Sequence, residues 1–289
     1  MRSLRPPRWL CPLLAAAVAV AVPAVTLPRL HAVSPWPALL GLAVWTAGKY
    51  VLCPLRWHGF SESGRGRRWH TAAYAESELL GLLTPGHIGA DLWRVKRLSA
   101  VGLQRSSAVA EVGLDRVVGA LGAAVFVGLA GTALPVRLLL GVLGAVALGG
   151  VALLGVALLR PEWLPRRPLP SLRSLAKGLL LSIGYQASVL ALLLGTLHSA
   201  GASADPVAVL GALGASNLAG VLPGPQGAGP RDAALVIALV GLGIPTLTAV
   251  AAVALKATLA WGPALLLGGG CLLVAKVRRR RSGPALAAA

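Results

Sequence analysis

Two proline-glycine pairs interrupt apolar sequence that would otherwise read as membrane-spanning helix. The first lies in Thr84-Pro85-Gly86-His87-Ile88-Gly89, with Arg94 close behind. The second lies in Leu222-Pro223-Gly224-Pro225-Gln226-Gly227, with Arg231 close behind. Proline lacks an N–H and clashes with the preceding turn, and glycine tolerates dihedrals that other residues avoid. Together they end a helix deep in apolar sequence and release backbone groups that protein, water or a ligand must meet, because lipid cannot. Paired helix breaks flanked by charge are a device of transporters, where they line the substrate path.

The rest of the chain supplies the membrane context. Of 289 residues, 56% are hydrophobic and 12% charged, with a mean hydropathy of +0.76. A soluble domain carries about twice that share of charge. The net charge of +18 does not point to nucleic acid, because of where it sits. Basic residues gather between or beyond the apolar runs: Arg2, Arg5 and Arg8; Arg56, Arg65, Arg67 and Arg68; Arg94, Lys96, Arg97 and Arg105; Arg160, Arg166, Arg167, Arg173 and Lys177; Lys276 and Arg278 to Arg281. That is the pattern of the positive-inside rule, and it also suits attraction to anionic headgroups. Cys11, Cys53 and Cys271 lack metal-ligand spacing. The basic start and the first apolar run resemble a signal peptide without a small-residue cleavage site, which predicts an uncleaved first span.

Full spans are predicted at about 9–27, 37–55, 107–131, 136–159, 175–197 and 246–272, each near the length that crosses a bilayer. Shorter segments at about 71–84 and 88–98 flank the first break, and 206–222 and 230–244 flank the second. With both termini in the cytoplasm, all five basic groups fall on one side, and the two broken pairs enter from opposite faces. The predicted fold is an all-α polytopic membrane protein with six full spans and two broken or re-entrant helix pairs, in a pattern that resembles an inverted repeat. Residues 1–275 form the transmembrane domain and 276–289 a basic cytoplasmic tail. The predicted location is the bacterial inner membrane.

A helix that restarts after each break points free N–H groups and the positive end of its dipole inward, which favours anions. Arg94 and Arg231 add full charges. Glu111 and Asp115 share one face of a span, four residues apart, with Arg116 beside them. Such groups should face the bundle interior, where Arg116 or Lys256 could neutralise Asp115, Glu111 or Glu78. The same charges fit either an internal ion-pair network or a polar path for a headgroup. Lys49 is expected to snorkel; Arg231 and Asp232 could pair locally; His87 could titrate or cap a turn. The candidate substrate-binding set is Pro85, Gly86, His87, Gly89, Arg94, Glu111, Asp115, Arg116, Pro223, Gly224, Gln226, Gly227, Arg231, Asp232 and Lys256. The motifs of nucleotide-binding loops, zinc proteases and hydrolase elbows are missing, and no residue is assigned to metal, cofactor or catalysis.

With these residues in place, the chain resembles the flippase-like integral membrane family that includes the transmembrane part of bacterial lysylphosphatidylglycerol synthases. The match rests on Pro85, Gly86, Gly89, Arg94, Asp115 and Arg116, and on Pro223, Gly224, Gly227, Gly229, Arg231 and Asp232. It departs at Ala90, where the family has glutamate, and in having aspartate at Asp115 and Asp232; the second break is also a residue or two longer. The resemblance implies movement of an anionic, aminoacylated or polyprenyl-phosphate-linked lipid between leaflets. The partners it implies are that phospholipid or polyprenyl-phosphate lipid, with a homo-oligomer, a glycosyltransferase or a synthase as further candidates; nucleic acid is not among them. Lysyl transfer itself is not expected from a chain without the soluble synthase domain. The alternative is a membrane enzyme, with Glu76, Glu78, His87 and Asp91 as its acid–base set, or an accessory protein, acting on lipid phosphates in envelope glycolipid synthesis.

Overall fold

The computed structural model describes residues 34–82, 84, 87–129, 170–219 and 229–281, together with 21, 24 and 25. Among the described residues all regular structure is helical. The expected span at 136–159 and both proline-glycine pairs lie outside the described residues, as does all of the span at 9–27 except residues 21, 24 and 25. Eight helices are described. Helix α1 runs Pro35–Phe60, α2 Arg67–Leu82, α3 Ile88–Ser99 and α4 Arg105–Leu129. After the 130–169 interval come α5 Leu172–Ser199, α6 Pro206–Ala219, α7 Pro230–Gly241 and α8, which runs from Thr246 to Arg281.

Helices α1, α5 and α8 (Thr246–Val277) are long and apolar enough to cross a membrane, with 26, 28 and 32 residues. Helix α4 has 25 residues, about 37 Å at 1.5 Å per residue, but carries Glu111, Asp115 and Arg116 midway. Two of the long helices contain a π-helical turn beside a proline. Gly48–Leu52 precedes Pro54, and Ala264–Gly268 follows Pro263. Proline cannot donate to the turn before it, so the helix widens locally to place its remaining hydrogen bonds. The final helix continues through Arg281, so the first residues of the expected tail are helical.

Helices α1 and α5 run antiparallel and very close. A Cβ on Gly41 would lie 2.8 Å from the Ala191 carbonyl oxygen, and one on Gly195 would collide with the Pro37 carbonyl. Small residues at such crossings let backbones touch where lipid offers no hydrophobic drive for association. The backbone N–H of Ala38, in the unpaired first turn of α1, donates to Ser199 Oγ at 3.0 Å. Leu192, Leu193 and Leu197 of α5 carry the main core, packed against Val209, Leu213, Leu235, Leu239, Ala249 and Ala252.

The packing has a two-fold pattern. Exchange α1 with α5, α2 with α6, α3 with α7 and α4 with α8, and each principal helix pair becomes another one that is present. Contacts α1–α2, α2–α3, α3–α4, α1–α4, α4–α5 and α2–α8 have α5–α6, α6–α7, α7–α8, α5–α8, α8–α1 and α6–α4 as counterparts. Pro85 and Pro223 stand about 138 positions apart. That same spacing nearly converts the contact of Ala38 with Ser199 into that of Gly178 with Phe60. Each half thus contributes a long helix, a broken hairpin and a second long helix. The hairpins α2–α3 and α6–α7 are the two interrupted segments.

Candidate functional site

Helix α4 places its acids inside the bundle, one turn apart. Asp115 is 1% exposed and sits between two arginines. Arg56 approaches with Nε donating to Oδ1 at 2.7 Å and Nη2 to Oδ2 at 3.2 Å, while its Nη1 donates to Ser182 Oγ at 2.9 Å. Arg94 donates from Nη2 to Oδ2 at 2.7 Å. Its guanidinium lies over Trp57 at 4.4 Å and Tyr74 at 5.5 Å. Four elements, α1, α3, α4 and α5, therefore meet at one carboxylate. Glu111, fully buried, accepts from Trp57 Nε1 at 2.7 Å and from the Glu62 backbone N–H at 3.2 Å.

Two expectations are corrected here. Arg56 does not belong to a basic loop: α1 runs on to Phe60 and turns Arg56 inward, 7% exposed. Arg116 neutralises neither Glu111 nor Asp115. Adjacent residues on a helix project about 100° apart, so Arg116 emerges half-exposed and meets Asp91 of α3 at 2.9–3.0 Å.

Lys49 does not snorkel. It lies in the π-helical turn of α1, and its Nζ reaches Glu78 Oε2 at 2.9 Å. The rings of Tyr74 and Tyr185 flank the ammonium at 5.8 and 5.5 Å. Two residues earlier on α2 and so on its opposite side, Glu76 accepts from Trp93 Nε1 at 3.0 Å and lies 3.1 Å from Arg97 Nε. The two acids of α2 thus hold different helices, Glu78 to α1 and Glu76 to α3.

The first break is closed by Thr84, whose Oγ1 accepts the Gly89 N–H at 2.8 Å. His87 starts α3 with φ of 59°, the left-handed conformation that non-glycine residues seldom adopt. Arg231 belongs to the other half. It stands exposed in the first turn of α7 and makes no ion pair or hydrogen bond among the described residues. It does not pair with Asp232, which turns back instead to its own helix start, with Oδ2 at a long 3.5 Å from the Gly229 N–H. Half-buried Lys256, on α8, has no direct ion pair among the described residues. Pro85, Gly86, Pro223, Gly224, Gln226 and Gly227 lie outside the described residues.

Lys49 and Arg116 thus lie in the first half, paired with Glu78 and Asp91, while Arg231 stands at the start of α7 and Lys256 on α8 in the second. Helix N-termini carry partial positive charge, so the start of each restarted helix adds to the cations of its own half and favours an anion. The carboxylates that could serve as an acid–base set do not gather unpaired: Glu76 lies against Arg97, Glu78 against Lys49 and Asp91 against Arg116.

Residues 9–268 match the family model described as the lysylphosphatidylglycerol synthase TM region. The chain belongs to this family. That makes it a membrane protein related to lipid modification or flipping, and its long apolar helices agree with that location. No curated protein and no solved structure matches the chain. Of the residues singled out in the sequence, Arg94 and Asp115 lie in the buried charged interior. Arg56 and Lys49 were missed as parts of the charged interior. The available signal was Pro54 within the apolar run: a proline there marks a helix that continues irregularly, so charges on either side of it need not lie at a membrane surface.

Proposed function

We propose that the protein moves a phosphate-bearing lipid between the leaflets of the bacterial inner membrane, with both termini cytoplasmic and the two broken hairpins entering from opposite faces. The observation that carries this reading is the two-fold packing in which each half sets cations beside a broken hairpin, Lys49 and Arg116 against α2 and α3 in one and Arg231 and Lys256 on α7 and α8 in the other. The lipid phosphate binds there while its hydrocarbon chains stay in the bilayer. The antiparallel run of α1 and α5 and the exchangeable packing of the halves support alternating access by one hairpin or the other. The pairing of Glu76, Glu78 and Asp91 with cations favours transport over acid–base catalysis.

Purified protein in liposomes tests the reading. Labelled phospholipid in the inner leaflet should become accessible to an outer quencher faster than in empty liposomes. Arg231→Ala and Lys256→Ala should each slow that movement several-fold. Protein that is folded by size exclusion yet moves no lipid across a panel of phospholipids and polyprenyl phosphates overturns the proposal.

A further inference from the structure

We infer that the cavity between the α5–α6 and α7–α8 turns is a binding site for a small zwitterion, with its ammonium on Asp205 and its oxyanion on Thr248 and the start of α8. This site lies apart from the charged interior, and its test reads binding and not lipid movement.

Two turns of the same kind build it. Helix α5 ends with the Ala202 N–H donating to the Leu197 carbonyl at 3.0 Å, and α7 with the Ile244 N–H donating to that of Leu239 at 3.3 Å. Gly201 and Gly243 supply the left-handed step, with φ of 81° and 86°. Pro206 and Pro245 then lead into α6 and α8. The turns enclose a cavity of about 340 Å³ whose polar side chains are Ser203, Asp205 and Thr248. That volume lies at the small end of ligand sites.

The start of α6 is satisfied and the start of α8 is not. Asp205 Oδ2 accepts the Ala208 N–H at 2.9 Å. Pro245 precedes α8 and offers no side-chain cap. The first backbone bond of α8 runs from the Ala249 N–H to the Pro245 carbonyl at 2.9 Å. The N–H groups of Thr246, Leu247 and Thr248 have no acceptor among the described residues. Thr248 lines the cavity, is 8% exposed, and its hydroxyl makes no hydrogen bond among the described residues. Buried hydroxyls are seldom left in that state. A bound oxyanion accepts from this hydroxyl and from the helix start together.

The opposite wall has the complementary chemistry. Only one oxygen of Asp205 is engaged, which leaves Oδ1 for an ammonium. Among the described residues no lysine, arginine, histidine or aromatic ring lines the cavity. A bare phosphate is repelled by Asp205 with no full positive charge to offset it. A bare amine leaves Thr248 and the start of α8 unmet. A molecule that carries both groups satisfies both walls. A free amino acid and the phosphoethanolamine headgroup of a neighbouring lipid share this chemistry.

The test is calorimetric titration of the full chain in nonionic detergent. The probes are glycine, glycerophosphoethanolamine, short-chain phosphatidylethanolamine, ethanolamine and inorganic phosphate. At least one zwitterion should bind about tenfold tighter than ethanolamine and than phosphate. Tighter binding of glycine identifies a free amino acid, and tighter binding of the two phosphoethanolamine probes identifies a headgroup. Asp205→Asn, which still caps α6, should weaken the zwitterion about tenfold, and Thr248→Val about threefold. Thr248→Ser should keep wild-type affinity, because the hydroxyl and not the methyl group is used. Ethanolamine or phosphate bound as tightly as the zwitterions overturns the inference. So does wild-type affinity in Asp205→Asn, or no binding of any zwitterion by folded protein.

Discussion

Replacing Asp115 by asparagine removes the negative charge from between two buried arginines. The carboxylate accepts three charge-assisted hydrogen bonds, at 2.7, 3.2 and 2.7 Å, with Arg56 and Arg94 both under 8% exposed. Asparagine keeps the shape but turns an amide donor toward one guanidinium, leaving two like charges facing each other. Breaking a buried pair in this way costs about 3–5 kcal/mol, because the remaining charge stays desolvated. At this chain length each kcal/mol moves the melting temperature by about 2 °C, so Asp115→Asn should lower it by about 6–10 °C. Detergent-solubilised protein heated in steps and followed by fluorescence-detected size exclusion reads this directly. Arg116→Gln, one residue along, is the control. Its pair with Asp91 is exposed by 50% and 32% on the two side chains, and such pairs contribute about 1 kcal/mol or less. Its melting temperature should fall by no more than about 2 °C. Equal shifts for the two variants would refute the argument that the buried carboxylate holds four helices together. Coupling gives a second reading: Arg56→Gln should be less destabilising in the Asp115→Asn background than in wild type.

Lys49→Met and Glu78→Gln should each destabilise by about 3 kcal/mol, and the double variant by clearly less than their sum, since each single change strands one buried charge; a thermal double-mutant cycle measures this. Thr84→Val deprives the Gly89 N–H of its acceptor and should lower stability by about 1 kcal/mol, read as a small melting shift with unchanged elution volume. Gly195→Val places a side chain against the Pro37 carbonyl, so it should lose the monodisperse peak in size exclusion, whereas Gly262→Ala, with open space at its Cβ, should keep it.

The apolar runs, their charged flanks and the two proline-glycine breaks were legible in the chain alone. Span length and helix-breaking chemistry are local properties, and a bilayer enforces them strictly. The span at 175–197 appears as Leu172–Ser199, and the short segments at 206–222 and 230–244 as Pro206–Ala219 and Pro230–Gly241, while 107–131 forms the helix Arg105–Leu129, which is not among the three helices long and apolar enough to cross a membrane. Periodicity also put Glu111 and Asp115 on one inward face. Pairing was different. Spacing along a helix fixes which face a charge occupies but not which helix meets that face. Asp115 could have been neutralised from several places, and only the packing of α1, α3, α4 and α5 selected Arg56 and Arg94 over the adjacent Arg116. Lys49 read as a surface lysine because it stands near the end of an apolar run. The π-helical turn before Pro54 and the nearness of α2 carried it to Glu78 instead. The doubled break announced two halves, and the tertiary structure decided how they pack, with each principal helix contact of one half matched by a counterpart in the other, because which helices touch is set by packing and not by order along the chain.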